Sequence, residues 1–363
     1  MTHNEAGILA DADIAALFES GLLTSGRPLD DDQIQPASLD LRLGAKAYRV
    51  RASFMPGPAT PVIDKLERLK LHEIDLSAGA VLETGCVYIV PLLEGLSLPE
   101  DLSASANPKS STGRLDIFTR VIVDGAQEFD KVPAGYKGPL YLEVSPRTFP
   151  IVARTGSRLS QIRFRKGRAQ LDENQLTLLH QAETLVASDQ PNISGGGIAL
   201  SVDLSGGEDK LIGYRGKRHT SVIDVDKRAA HDVLDFWEPI YDRGARELVL
   251  DPDEFYILVS REAVHVPPLY AAEMTPFDPL VGEFRVHYAG FFDPGFGHSA
   301  AGGTGSRAVL EVRSHEVPFI LEHGQIVGRL VYENMLNRPK ALYGIDLGSN
   351  YQAQRLKLSK HFR

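Results

Sequence analysis

VLETGCVYIVPLLEGLSLPEDLSA (81–104) and VLDPDEFYILVSREAVHVPPLYAA (249–272) align without a gap, 168 residues apart. At the same spacing YLEV (141–144) meets VLEV (309–312), Pro150 meets Pro318, and TGSRLSQIRF (155–164) meets HGQIVGRLVY (323–332). Further upstream PASLDLRLG (36–44) resembles IALSVDLSG (198–206), and PVID (61–64) resembles SVID (221–224). Small and polar positions shared at one spacing mark a duplicated unit rather than two β-rich segments with similar turns. Within each copy, short runs of Val, Ile, Leu, Tyr and Phe are broken by Pro, Gly and Asp, the pattern of an all-β sandwich or barrel. Helical periodicity is confined to 8–20, where Asp11 or Asp13 can start a helix, to 171–187 and to 227–237. The glycines of PNISGGGIAL (191–200) read as a connector. The expected organisation is a first copy over 1–170, a linker over 171–197 and a second copy over 198–363.

The 363 residues are 43% hydrophobic and 24% charged, the balance of a globular chain with substantial cores. No apolar run of ~18 residues is present, so no membrane helix is expected. The N-terminus lacks the basic and apolar regions of a secretory signal. A single cysteine, Cys86, excludes an intrachain disulfide, and these features together lead us to expect a cytoplasmic protein. The net charge of −9 argues against nucleic-acid or anionic membrane partners, which need a basic face. It does not exclude a small polyanion held by a few local donors.

NPKSSTGRLD (107–116) gathers such donors. Lys109, Ser110, Ser111, Thr112 and Arg114 surround Gly113, offering hydroxyls, backbone N–H groups and a guanidinium able to grip two phosphate oxygens. A Ser/Thr/Gly cluster beside an arginine is by itself more often a solvated turn, so its context decides.

In order along the chain come QPASLDLRLG (35–44), KSSTGR (109–114), HYAGFFDPGFG (287–297), AVLE (308–311) and NYQAQRLKLSKHF (350–362). This succession resembles the dCTP deaminase branch of the trimeric dUTPase-like fold. The resemblance implies a mainly β chain of two tandem dUTPase-like distorted β-barrels (jelly-roll, β-clip) with a few short helices. It also implies hydrolysis of dCTP to dUTP and ammonia, a step that supplies dTTP synthesis, and a homo-oligomer. The two copies carry different parts of the motif set. The first keeps KSSTGR, but its pocket hairpin (121–138) has an insertion and has Pro133 where the family has Asp. The second keeps Ala289, Asp293, Pro294, Gly295 and Phe296, but its counterpart of the turn, MTPFDPLVGE (274–283), lacks both serines and the arginine. A composite site is therefore expected, with Lys109, Ser110, Ser111 and Arg114 on one wall and Ala289, Asp293 and Glu311 on the other.

Zinc deaminases use His and Cys ligands in H-x-E and P-C-x-x-C patterns; with a single cysteine this sequence cannot supply the second, so no zinc is expected. By resemblance Glu311 is a metal-free general acid and base. Ser110 and the carbonyl of Ala289 orient the water, and Arg114 stabilises charge. Thr112, Gly113, Val309, Leu310, Tyr351 and Gln354 complete the expected substrate contacts, with Arg355 and Lys357 adding charge in the tail. Mg²⁺ is expected on the triphosphate rather than in a protein cage. Glu143, at the corresponding place in the first copy, is the fallback base, although a glutamate in such a strand is commonly an exposed residue. His287, His298, His315 and His323 fit no metal-ligand spacing, and SAAGGTGSR (299–307) lacks the strand-then-helix setting of a phosphate loop. A dUTP diphosphatase, a bifunctional deaminase–diphosphatase and a non-catalytic nucleotide-binding regulator are the rival readings.

Overall fold

The structure, a computed structural model, describes residues 5–188, 191–276, 284–287, 290–314, 316–344 and 356–363, with 276 and 284–287 as backbone alone. Strands dominate it. Their alternation separates core from covered faces. In Val87–Ser97, Val90, Leu92, Glu94 and Leu96 point inward, and the residues between them are partly exposed.

The same strand order occurs twice. In the first copy one sheet runs Lys131–Val132, Leu102–Pro108, Arg158–Lys166, Ser38–Arg42, Ile34–Gln35. Its counterpart runs Phe291–Phe292, Tyr270–Pro276, Ile326–Asn334, Gly197–Ser201, Ile193–Ser194. The facing sheets match likewise: Ile117–Val123, Lys137–Pro146, Val87–Ser97, Lys46–Val50 and Lys70–Asp75 correspond to Phe284–His287, Ser306–Ser314, Phe255–Val264, Leu211–Gly216 and Trp237–Tyr241. Leu39 pairs with Ile162 and Ile198 with Leu330, so Leu39 and Ile198 are the true counterparts upstream. The alignment of 36–44 with 198–206 thus has the right elements in a shifted register.

The structure corrects two local expectations. PVID and SVID are unrelated, because the first opens the helix Val62–Leu69 while Ile223–Asp224 is a strand parallel to Ile151–Ala153. The helical pattern at 227–237 gives a single turn, Val233–Phe236, before the β-strand Trp237–Tyr241 begins. The described residues of 171–197, expected as the linker, pack against the second copy. The helix Glu173–Ala182 starts with a capping box between Asp172 and Gln175, and Leu171, Leu176, Leu185 and Val186 enter the second core. The helix Asp11–Glu19 forms where expected, Asp13 accepting from Ala10 N at 3.0 Å.

The copies are sewn together by buried polar groups. Arg163, fully buried, donates to the carbonyl of Ala272 at 3.1 Å, pairs with Asp293 Oδ1 at 3.2 Å and lies 4.1 Å over the Phe291 ring. Arg165 Nε donates to Glu333 Oε1 at 2.8 Å. The chain's end is built in as well. Phe362 packs edge-on against Trp237, with ring centroids 5.9 Å apart, and beside Phe236 at 5.5 Å. Among the described residues no helix is long and apolar enough to cross a membrane.

Candidate active site

Lys109–Arg114 forms one tight helical turn, with Lys109 O accepting from Thr112 N and Gly113 N at 2.8 and 3.0 Å. Side chains on one side of the turn face outward and those on the other face the core. Lys109, Ser110, Ser111 and Arg114 line a cavity of about 470 Å³ between the copies. That volume falls within the ~300–1,000 Å³ usual for small-molecule sites. Thr112 and Gly113, expected as contacts, are buried beneath the turn and do not line it, and Gly113 is not left-handed.

The opposite wall comes from the second copy of the same chain. Val309 and Glu311 line the cavity, whereas Leu310, one residue out of phase on the strand Ser306–Ser314, points into the core. Leu310 is therefore a packing residue. Asp293 also lines the cavity, buried on the hairpin that Arg163 holds. Gly297 (φ 66°) closes that hairpin, and a Cβ there would lie 2.1 Å from the carbonyl of Val264. Ala289, Tyr351, Gln354, Arg355 and His315 lie outside the described residues, as does the His287 side chain.

Glu311 is 5% exposed, and its Oε1 lies 4.0 Å from Arg114 Nε. Burial pushes its carboxyl up to about 8, with the Arg114 charge acting in the opposite direction. Burial raises Asp293 too, opposed by Arg163. A carboxyl held near neutrality beside a guanidinium, in a closed pocket, can both take and give a proton.

Glu143 is placed differently. It is buried rather than exposed, because its face of the sheet is covered from within the first copy. Tyr141 and Ile122 pack there with Val62 and Leu66 of the helix Val62–Leu69. Arg120 then closes on the carboxylate with bonds of 3.0 and 2.6 Å while lying 3.5 Å over Phe129. On the second copy the corresponding face carries Val309 and Glu311 and meets the Lys109–Arg114 turn instead. Glu143 is absent from the cavity lining.

Several lining residues carry no motif. Arg158, Arg228 and Lys360 join Lys109 on the cavity wall, and Asp40 accepts from Lys109. Burial pulls the Lys360 ammonium down to about 8, helped by Lys109 and Arg228, while Asp40 acts against the shift. Only the run of basic residues around Arg228 and in the tail hinted at them. Phe296 sits 5.0 Å from Phe292 and 5.7 Å from Tyr343, giving the cavity an aromatic wall. The tail braces the turn: Arg114 donates to the carbonyl of Lys357 at 2.9 Å, and Ser359 to that of Ser111 at 2.8 Å. Lys357 thus contributes its backbone carbonyl to the turn. His298 lies near Glu183 and His323 near Asp203, away from the cavity. Among the described residues no three His, Cys, Asp or Glu side chains converge as metal ligands.

Two family models match the chain. The 2'-deoxycytidine 5'-triphosphate deaminase N-terminal domain matches residues 5–168, and the C-terminal domain matches 172–362. A dCTP deaminase of Haloarcula marismortui is 34% identical over 164 residues, covering 43% of this chain and 79% of that protein. A protein of Beutenbergia cavernae named dCTP deaminase, dUMP-forming, is 31% identical over 158 residues, covering 43% of this chain and 78% of its own length. The crystal structure of 2'-deoxycytidine 5'-triphosphate deaminase from Agrobacterium tumefaciens is 77% identical. It covers 95% of this chain and 100% of its own, with a TM-score of 0.91.

Proposed function

The chain belongs to the 2'-deoxycytidine 5'-triphosphate deaminase family, and we propose that it hydrolyses dCTP to dUTP and ammonia in the cavity between its two copies. The observation that carries the reading is Glu311, a buried carboxyl near neutrality 4.0 Å from Arg114. In its ionised form Glu311 takes a proton from a water held beside Ser110, and the oxygen adds to C4 of cytosine. The same carboxyl delivers that proton to N3. A second proton moves from the new C4 hydroxyl to the exocyclic nitrogen, the C4–N bond breaks, ammonia leaves and C4 becomes the carbonyl of uracil. Excluding other water keeps the Arg114 field strong while charge moves. Asp293 and the aromatic wall hold base and sugar.

Ser111, Lys109, Arg158, Arg228 and Lys360 take the phosphates, with Mg²⁺ carried by the nucleotide. Lys360→Met is expected to raise KM for dCTP about 10-fold, the effect of removing one charge-assisted contact worth ~1.5 kcal/mol. KM for dCMP should change much less. Lys360 is charged below about pH 8 and neutral above it, so the wild-type KM for dCTP should climb as pH rises through 8, and the variant should lose that limb. Initial rates across pH with both nucleotides check this.

The direct test incubates the full chain with dCTP, dCMP and dUTP, measuring ammonia and pyrophosphate. Ammonia from dCTP supports the reading, and pyrophosphate without ammonia overturns it. Ammonia and pyrophosphate in equal amounts would add the second step that the dUMP-forming relatives carry in their name. A homo-oligomer, read from light scattering, is expected to hold one site per chain.

A further inference from the structure

Resting on that reading of Glu311, we propose that Arg313 and Asp116 form a positioning clamp that fixes the proton-transfer carboxyl against the Lys109–Arg114 turn. The two walls present the same two charges in opposite order. Arg114 and Asp116 stand two residues apart on the first copy, and Glu311 and Arg313 two residues apart on the second. Residues i and i+2 of a strand share a face, so Glu311 and Arg313 both point at the turn. Arg114 stands 4.0 Å from Glu311 without direct contact, whereas Arg313 Nη2 bonds Asp116 Oδ2 outright. The firm pair therefore sets the spacing of the loose one.

Both halves of the clamp are held by further bonds. Asp116 has a left-handed backbone (φ 54°), rare for a residue with a side chain. It stays there because its N–H donates to the carbonyl of Gly113 at 2.9 Å, its carbonyl accepts from Arg147 N at 2.9 Å, and Thr148 Oγ1 donates to its carboxylate at 2.6 Å. Arg313 also donates to Thr148 Oγ1 at 3.1 Å and to the carbonyl of Asp253, at the turn leading into Phe255–Val264, the strand that pairs with Glu311's own. Both side chains are buried, at 7% and 1% exposure, so little water competes for the pair. The mechanism itself uses neither residue, and neither lines the cavity.

The variants are Arg313→Met and Asp116→Asn, the second keeping a side chain that tolerates the left-handed backbone. Arg165→Met is the control, because it breaks a different ion pair between the copies. Each clamp variant is expected to lower kcat for dCTP about 10–100-fold, with KM within about 3-fold, and to move the pH limb of kcat that Glu311→Gln abolishes by more than about half a pH unit. Arg313→Lys should recover part of kcat. Arg165→Met should lose stability while keeping kcat and its pH limb. If Glu311→Gln abolishes turnover but a folded Asp116→Asn keeps wild-type kcat and pH profile, the clamp is wrong and the reading of Glu311 stands. Should Arg165→Met lower kcat and shift the limb as much as the clamp variants do, the effect belongs to copy–copy docking in general and the clamp is again overturned. If Glu311→Gln itself keeps turnover, the underlying reading fails instead.

Discussion

Glu311→Gln is expected to lower kcat for dCTP by about 10²–10⁴-fold, the usual contribution of a general acid–base residue, while the protein becomes more stable above neutral pH. The amide keeps the shape of the carboxyl and cannot shuttle a proton. The stability gain follows from the same burial that tunes the group. In the folded chain the carboxyl ionises near 8, and in the unfolded chain near its ordinary value of 4.5. Between those values the folded state binds the extra proton, so this group's contribution to stability declines as pH rises from about 4.5 to about 8 and is level beyond. Every tenfold difference in proton affinity between the folded and unfolded chain corresponds to about 1.4 kcal/mol, and the attraction to Arg114 is already contained in the folded value. Urea unfolding at pH 5 and pH 8.5 reads the difference: the variant should gain on the wild type at the higher pH only. A variant that keeps turnover, or one that loses stability at pH 8.5, contradicts this picture. Glu143→Gln should instead behave as loss of a structural ion pair with Arg120, costing stability and leaving the chemistry in place.

Arg163→Met is expected to cost about 3–5 kcal/mol of unfolding free energy, the range for removing one partner of a buried ion pair. The methionine fills similar volume, so the loss is electrostatic rather than a cavity. It would strand the Asp293 carboxyl, whose burial already works against ionisation, and leave the carbonyl of Ala272 without its donor. Arg163→Lys should recover little, because an ammonium cannot reach Asp293, Ala272 and Glu333 together as the planar fork does. The expected signature is a lower urea midpoint together with weaker nucleotide binding, since the Phe291–Asp293 hairpin loses its tether. A loss below about 1 kcal/mol would mean that the hairpin holds itself.

Legibility followed spacing. The 168-residue repeat could be read because strands keep their length and order when sequences drift, so Arg158–Lys166 and Ile326–Asn334 occupy the same place in their sheets. Alternation along Ser306–Ser314 would have removed Leu310 from the expected contacts, since Val309 and Glu311 share one face and Leu310 takes the other. The helix Val62–Leu69 escaped because its pattern spans barely two turns, too short for periodicity to show. Arg158, Arg228 and Lys360 escaped because basic residues scattered over a strand start, a loop and the tail share no spacing. They become neighbours only when the tail folds back over the Lys109–Arg114 turn.

The sequence by itself determined that the chain is a duplicated β unit, and that the cationic turn and the acidic pocket survive in different copies. Both follow from local chemistry: strand alternation, turn residues, and the presence or loss of named side chains at one spacing. Only the tertiary structure decided which carboxyl of two equivalent glutamates faces a cavity. Glu143 and Glu311 hold the same place in the same strand, and their own sequences, LEV and LEV, are identical. What differs is the cover. In the first copy the helix Val62–Leu69 and Arg120 close over the face, whereas in the second the opposite copy closes it and leaves a space. Burial and the nearest charge set whether a carboxyl is a locked ion pair or a proton carrier, and both depend on what the rest of the chain places against it.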